Sequence, residues 1–482
     1  MILRVLAFVA TSTLLGAALY FAPAIQTKIV FDSASGSYQV KPADLALVCP
    51  GALYRTGGDS GTNLAEVDRI GSANTNFTAQ GTGTVELIEI TSSQSTNLEL
   101  GTARIIDEIA TRDALALTNS GADLASPQGS LTLTGTSIQL AASDSMRGLA
   151  AASCQQPSND FFLIGGSTAA GREALLVLTN PTPIDATADL KIYTDLGEVK
   201  VAGLSGVSVP SNRTIVISLA SFAPTSPSLA IQVLSSGAKL AGWIQQRAVR
   251  GTSATGVDWL GMSPAASQLQ VIPGLVIRGT KTINQELRSE ENSDAGHAVR
   301  VFAPEGANIT VQITSSDPEV FGAVFTAIVE AGTVADFPVT ELKDGDYSVV
   351  VSSDKPVFAS VRAARGNPGQ TPRLDFAWIA AAEELTTDRA VVAHDEGLSI
   401  LVLANAGDQN AIVRVTDLAS GASEQVLVAA NGTASLEVSG AISIAAATNV
   451  FAAVAVLVEG QLSDIEVRDP KNLGSEVQVR FR

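Results

Sequence analysis

Histidine is almost absent from this chain: 482 residues contain two, His297 and His394. Most nucleophilic and zinc-dependent hydrolases need histidine as a base or a ligand, so the scarcity counts against both classes. Cysteine is equally sparse. Cys49 and Cys154 are the whole complement, and with no histidine near either they cannot fill a four-ligand zinc shell. Charge is thin too, at 16% of residues against the usual ~25%. What charge exists is acidic, 48 Asp and Glu against 30 Lys and Arg, for a net −18. A nucleic-acid duplex or an anionic lipid surface repels such a molecule, which excludes both as partners.

Long apolar runs are missing as well, with one exception. Residues 1–24 carry a single basic residue, Arg4, and then an uncharged, almost unbroken apolar run from Val5 to Ala22. That length approaches the ~20 residues needed to span a bilayer and exceeds the usual apolar part of a cleaved signal. A membrane anchor is the favoured reading. Ala22-Pro23-Ala24 also has the small-x-small form of a cleavage site, in which case the protein is secreted by cleavage after Ala24. Both readings place the rest of the chain outside the cytoplasm, with Arg4 inside.

An exported chain with two cysteines is most economically read as having one disulfide, Cys49 to Cys154, with two separately buried thiols as the alternative. Closing a loop of roughly 100 residues is worth up to ~4.7 kcal/mol in the chain-entropy treatment.

What the chain does have is repetition. An acidic residue followed by bulky aromatics recurs at Asp160-Phe161-Phe162, Asp258-Trp259 and Asp375-Phe376-Ala377-Trp378, each time ahead of an apolar strand. Just upstream, Trp243 to Arg247 leads to Arg250-Gly251, and Phe358 to Arg362 leads to Arg365-Gly366; Arg147-Gly148 holds the corresponding place earlier. Within the repeats, short alternating strands are separated by turn signals such as Asn180-Pro181 and Asp195-Leu196-Gly197. The fold class expected is all-β, with tandem immunoglobulin-like β-sandwich domains after the N-terminal anchor or signal segment. A propeller ranks second, because its blades repeat at ~40–50 residues, about half the spacing seen here. The expected division is 25–153, an irregular β-rich first region with a loop over Leu53–Gln80, then sandwiches at 154–257, 258–374 and 375–482. Ala380 to Leu385 reads as either a short helix or an extended linker.

Each candidate site in the chain also has a plain structural reading. Gly57-Gly58-Asp59-Ser60-Gly61-Thr62 looks like the nucleophile segment of chymotrypsin-type proteases, but that family takes its base from an upstream histidine and both histidines lie downstream. It reads as a loop. Asp344-Gly345-Asp346 and Asp395-Glu396-Gly397 lack the spacing of a twelve-residue calcium loop. No metal and no cofactor is expected. Asp160, Phe161, Asp258, Trp259, Asp375, Phe376 and Trp378 are assigned a structural role, the acid hydrogen-bonding at a connector and the aromatic packing beneath it.

Leu47-Val48-Cys49-Pro50-Gly51 and the stretch from Cys154 through Asp160-Phe161-Phe162, Gly165-Gly166-Ser167-Thr168 and Gly171-Arg172 to Asn180-Pro181 resemble an uncharacterised family of exported actinobacterial proteins. The resemblance implies an envelope location and paired cysteines, and no chemistry. The expected function is a non-enzymatic cell-envelope protein presenting binding surfaces on tandem β domains, with an envelope protein or a neutral glycan as partner. An accessory or degenerate enzyme of envelope glycan assembly is the alternative. Mass mapping of the non-reduced protein is expected to recover Cys49 and Cys154 in one linked peptide pair, and alkylatable thiols at both positions would exclude the bond.

Overall fold

Eight strands in a fixed order, used four times, make up the main body of the chain. In the second repeat the strands run Asp160–Ile164, Arg172–Asn180, Ala186–Thr194, a broken fourth strand (Gly197–Glu198 and Val207–Val209), Arg213–Ser218, Ala230–Ser236, Ala241–Arg250 and Ser253–Leu260. Strands 1, 6, 3 and 4 form one antiparallel sheet and strands 5, 2, 7 and 8 the other. The same two orders recur in the first repeat (46–153), the third (267–380) and the fourth (389–466). The structure is a computed structural model. It describes residues 46–468 except 58–62, 81–82, 101–104, 121–131, 144–145, 252, 290–291, 293, 370–373, 396 and 446, together with strands Ser35–Gln39 and Glu476–Arg480. Those two outer strands pair antiparallel in a separate unit. The anchor or signal segment at 1–24 and the Gly-Asp-Ser-Gly stretch lie outside the described residues, apart from Gly57. Among the described residues no helix is long and apolar enough to cross a membrane.

The burial pattern follows from the pairing of sheets. Ala186–Thr194 alternates buried and exposed along most of its length, as a strand with one wet face must. In the second sheet both faces are covered, so strand 2 has seven consecutive buried residues from Ala174 to Asn180, and Val450–Val458 is buried throughout. Leu176, Leu178 and Ile244 face Leu190, Ile192, Ile231 and Val233 across the core of the second repeat. Their neighbours Leu175, Val177 and Trp243 point the other way, against Tyr54, Met146 and Ala150 of the first repeat. Period-2 geometry thus lets one strand serve two cores, and each fully buried aliphatic side chain contributes roughly 1.5–3 kcal/mol.

The eighth strands meet one another. Met146–Ser153 packs on Ser253–Leu260, that strand on Leu374–Ala380, that on Gln461–Glu466, and the last closes back on the first. The expected string of domains is therefore a closed cycle inside one compact unit, Asp44–Asn472. Three further expectations need correction. Asp258 and Asp375 sit on the last strand of a repeat, paired with strand 7 through Gln246 and Arg365, so divisions at 258 and 375 cut through sheets. The first region has the common strand order, and Leu53–Gln80 forms a hairpin (Tyr54–Gly57 with Asn63–Arg69) followed by strand 2, Ala73–Gln80. Arg147-Gly148 lies on an eighth strand, whereas Arg250 and Arg365-Gly366 close seventh strands.

The disulfide joins Cys49, at the end of the first strand, to Cys154, just beyond the eighth, so it clamps the first repeat across its two sheets. Strands 6 and 7 of the third repeat run together as Gly345–Gly366, 22 residues that serve both sheets. Ala381 to Leu385 carries no helix. One short helix, Thr280–Glu286, is inserted between strands 1 and 2 of the third repeat. Gly148 has φ +146°, and a Cβ there would lie 2.4 Å from the Val257 backbone nitrogen, so this contact in the cycle requires glycine. Gly148→Ala is expected to cost about 1–3 kcal/mol by overpacking, measured as a lower melting temperature. Gly332→Ala, with positive φ but no atom within 4 Å, should cost less.

Candidate functional site

Each eighth strand is the edge of its own sheet, so alternate N–H and C=O groups point at the centre of the cycle without a partner in that sheet. Carboxyl groups on the neighbouring strands meet part of that need. Asp258 Oδ2 accepts the Trp378 N–H at 2.7 Å, and Asp375 Oδ2 accepts the Leu462 N–H at 2.8 Å. Ser463 Oγ accepts the Ala151 N–H at 2.8 Å and donates to Asp258 Oδ1 at 2.6 Å, tying the fourth repeat to the first and second. Gly256 leaves the space that Phe376 and Asp375 occupy. The structure thus brings Asp258, Trp259, Asp375, Phe376 and Trp378 together at the junctions between repeats, all of them buried.

Asp160 and Phe161 are placed elsewhere. Asp160 opens the first strand of the second repeat, is exposed, and accepts a hydrogen bond from Gln232 Nε2 at 2.9 Å; Phe161 enters that repeat's own core. The acid-aromatic dipeptide recurs in sequence on two different strands, because a strand end and an inner strand can each use an aromatic for packing. The cycle strands of the first and fourth repeats, Met146–Ser153 and Gln461–Glu466, hold no such pair. Sequence reasoning therefore missed Ser463, Asp464 and Glu466, whose strand Gln461–Glu466 has no aromatic.

Three carboxyls at the centre are fully dehydrated. Burial pushes Asp258 well above the carboxylate range, against the hydrogen bonds from Ser463 and Trp378. Burial does the same to Asp375, against the Leu462 bond. Asp464 is raised by burial and then by the charges of Glu466 and Asp258, and neither of its oxygens has a hydrogen-bond partner among the described residues. Among those residues no group of three or more His, Cys, Asp or Glu side chains is arranged to hold a metal.

Trp243, Trp259 and Trp378 are all buried in packing contacts. Arg300 lies over the Trp378 ring at 4.6 Å and bonds Asp336 at 2.7 Å, while its Nη1 reaches Gly166 O and its Nη2 reaches Pro227 O. One guanidinium thereby fastens the third repeat to the second. Burial raises Asp336, but the Arg300 charge and hydrogen bonds outweigh it and hold the carboxyl below its usual range. His297 accepts the Ala364 N–H at 3.0 Å and is lowered to about 4 by burial, with Arg362 adding to the effect.

At one end of the cycle the connectors that follow the eighth strands converge on a cavity of about 400 Å³. Gln155 Oε1 accepts the Met262 N–H at 3.1 Å, and Arg468 Nη2 donates to Met262 O at 2.5 Å. Phe162, Phe358, Met262 and Pro264 supply apolar wall; Ser158, Asp160, Glu383 and Arg468 supply polar groups. Phe162 stacks on Phe358 at 4.3 Å. An apolar wall with a few polar groups can hold and orient a small ligand.

DUF5719, a family of unknown function, matches residues 111–439, from the end of a fifth strand in the first repeat to the fifth strand of the fourth, and the chain belongs to that family. No curated protein matches the chain.

The raised carboxyls set a pH dependence. A group neutral when folded but ionised when unfolded favours the folded state below the unfolded pKa, and that stability is lost as pH rises above ~4 toward the folded value. His297 acts oppositely: its folded value near 4 against the usual 6.5 removes about 3 kcal/mol as pH falls between those two values. Asp464→Asn removes one acid and leaves the histidine. Its melting temperature, compared with that of the parent, is expected to improve progressively as pH rises above 4. A difference independent of pH would show that Asp464 is ionised in the folded protein.

Proposed function

We propose that this protein is a non-enzymatic component of the cell envelope, held outside the cytoplasm by its N-terminal segment, whose four repeats are immunoglobulin-like β-sandwiches displaying binding surfaces. Its ligand in this reading is a neutral glycan taken into the cavity at the connector end. The cavity carries the proposal. Its volume of about 400 Å³ suits one or two sugar rings, half-buried Phe162 offers aromatic surface to a pyranose, and Asp160, Glu383 and Ser158 offer acceptors to its hydroxyls.

The titratable inventory supports binding over turnover. Both cysteines are consumed in the disulfide, His297 is buried and engaged by the Ala364 N–H, and Asp258 and Asp375 are committed to backbone groups of the next repeat. An accessory or degenerate glycan-assembly enzyme is the competing reading. The two are separated by incubating the purified protein with neutral envelope glycans and measuring both binding and product formation. Saturable binding without product is expected, weakened at least about tenfold by Asp160→Asn combined with Glu383→Gln, which together remove charge-assisted hydrogen bonds. Hydrolysis or transfer abolished by a single carboxylate substitution or by Ser60→Ala in folded protein would establish the enzyme instead.

A further inference from the structure

The third repeat has an uncharged, unbroken edge strand where the other repeats have a charged or broken one. Its fourth strand, Ala323–Val329, pairs on one side with Ala307–Ser315 and on the other with no described strand. The ten residues 320–329 carry no charge. Phe321, Val324 and Ile328 are 97%, 70% and 77% exposed. Proteins ordinarily blunt such an edge with a charge, a break or a cover. The fourth strand of the first repeat carries Glu99, that of the fourth carries Glu424, and that of the second is broken into Gly197–Glu198 and Val207–Val209. Only the third is left unbroken, uncharged and seven residues long among these described strands.

We propose that Ala323–Val329 is a docking edge that accepts an extended segment of another protein as an added antiparallel strand, apolar at alternate positions and flanked by basic residues. The backbone supplies the affinity, since alternate residues of an edge strand direct their N–H and C=O groups outward. Charge selects the occupant. Exposed Asp317 and Glu319 precede the strand and exposed Glu330 follows it, so lysine or arginine at both ends of the incoming segment finds a carboxylate. A second copy of this chain is the disfavoured occupant, because antiparallel self-pairing brings these acidic flanks together in molecules that each carry −18. The proposal rests on the binding reading but uses a different surface from the cavity, so glycan binding and strand docking succeed or fail separately.

The test uses the purified full chain and a synthetic seven-residue strand of alternating valine and threonine with two lysines at each end, beside the same peptide ended by glutamates. Hydrogen exchange should show residues 323–329 protected by the lysine-ended peptide, which should bind at least about tenfold more tightly than the glutamate-ended one at low salt. Val324→Lys with Ile328→Lys, both at exposed positions, should weaken binding at least about tenfold through like-charge repulsion and loss of apolar contact. Leu427→Lys, on the fourth strand of the fourth repeat, should leave binding unchanged. The proposal is overturned if 323–329 gains no protection, if both peptides bind equally, if the Leu427 variant loses binding as well, or if sedimentation shows a dimer that the double lysine variant dissolves.

Discussion

Four sheet edges meet at the middle of this molecule, and their outward backbone groups must be satisfied there without water. A carboxyl oxygen can accept an N–H from a strand that has no pairing neighbour, and Asp258 and Asp375 do so across two successive junctions. Ser463 carries the link onward to Ala151, and at the remaining junction Gly148 allows direct backbone approach to Val257. Removing the centre would leave four repeats each with an open edge strand, the condition under which β proteins pair wrongly or aggregate. The cycle is thus both the join between repeats and the protection of their edges.

Burying carboxyls this way has a cost, because dehydration favours their neutral form and the unfolded chain ionises them freely. Asp464 shows the cost most plainly, lying between Gly274 and the charges of Glu466 and Asp258 without a hydrogen-bond partner among the described residues. Buried polar contacts of this sort fix which strand lies beside which, a matter of specificity more than of net stability. Around the rim, fastening is done differently: the Arg300–Asp336 pair with its Trp378 contact, and the cluster of Phe162, Phe302 and Phe358, join the second and third repeats. Polar links at the centre and aromatic contacts farther out divide the work of orientation and adhesion.

Much of this was legible in the sequence, and the failures have physical causes. Alternation in Ala186–Thr194 and the turn at Asn180 gave the strands correctly, because one wet face leaves period 2 in the text. The buried placement of Trp243, Trp259 and Trp378 follows from their occurrence in strands. The order of repeats was misread because Asp160-Phe161 imitates Asp258-Trp259 while standing seven strands away in the repeat. The first repeat was hidden by its inserted hairpin and by its small polar residues, which pack as strands only because neighbouring sheets cover them. Closure of the cycle left no local signal at all. It is a relation among four strands about 100 residues apart, visible only once their backbones share space.

The ring also determines which parts of each repeat remain free to act. Eighth strands are consumed at the centre, and the second sheets are covered on both faces by their own cores and by the adjoining repeats. The edges left outside the cycle include the fourth strand of each first sheet, at the far margin, and beside them are the ends where connectors turn. Variation at the fourth strand, broken in one repeat, acidic in two and uncharged in the third, therefore changes the surface without disturbing the join. A repeated fold with a closed centre and a variable margin can present several different faces from one compact unit. The surface this fold leaves for contact therefore lies at those margins and connector ends, because the eighth strands at the centre are packed against one another.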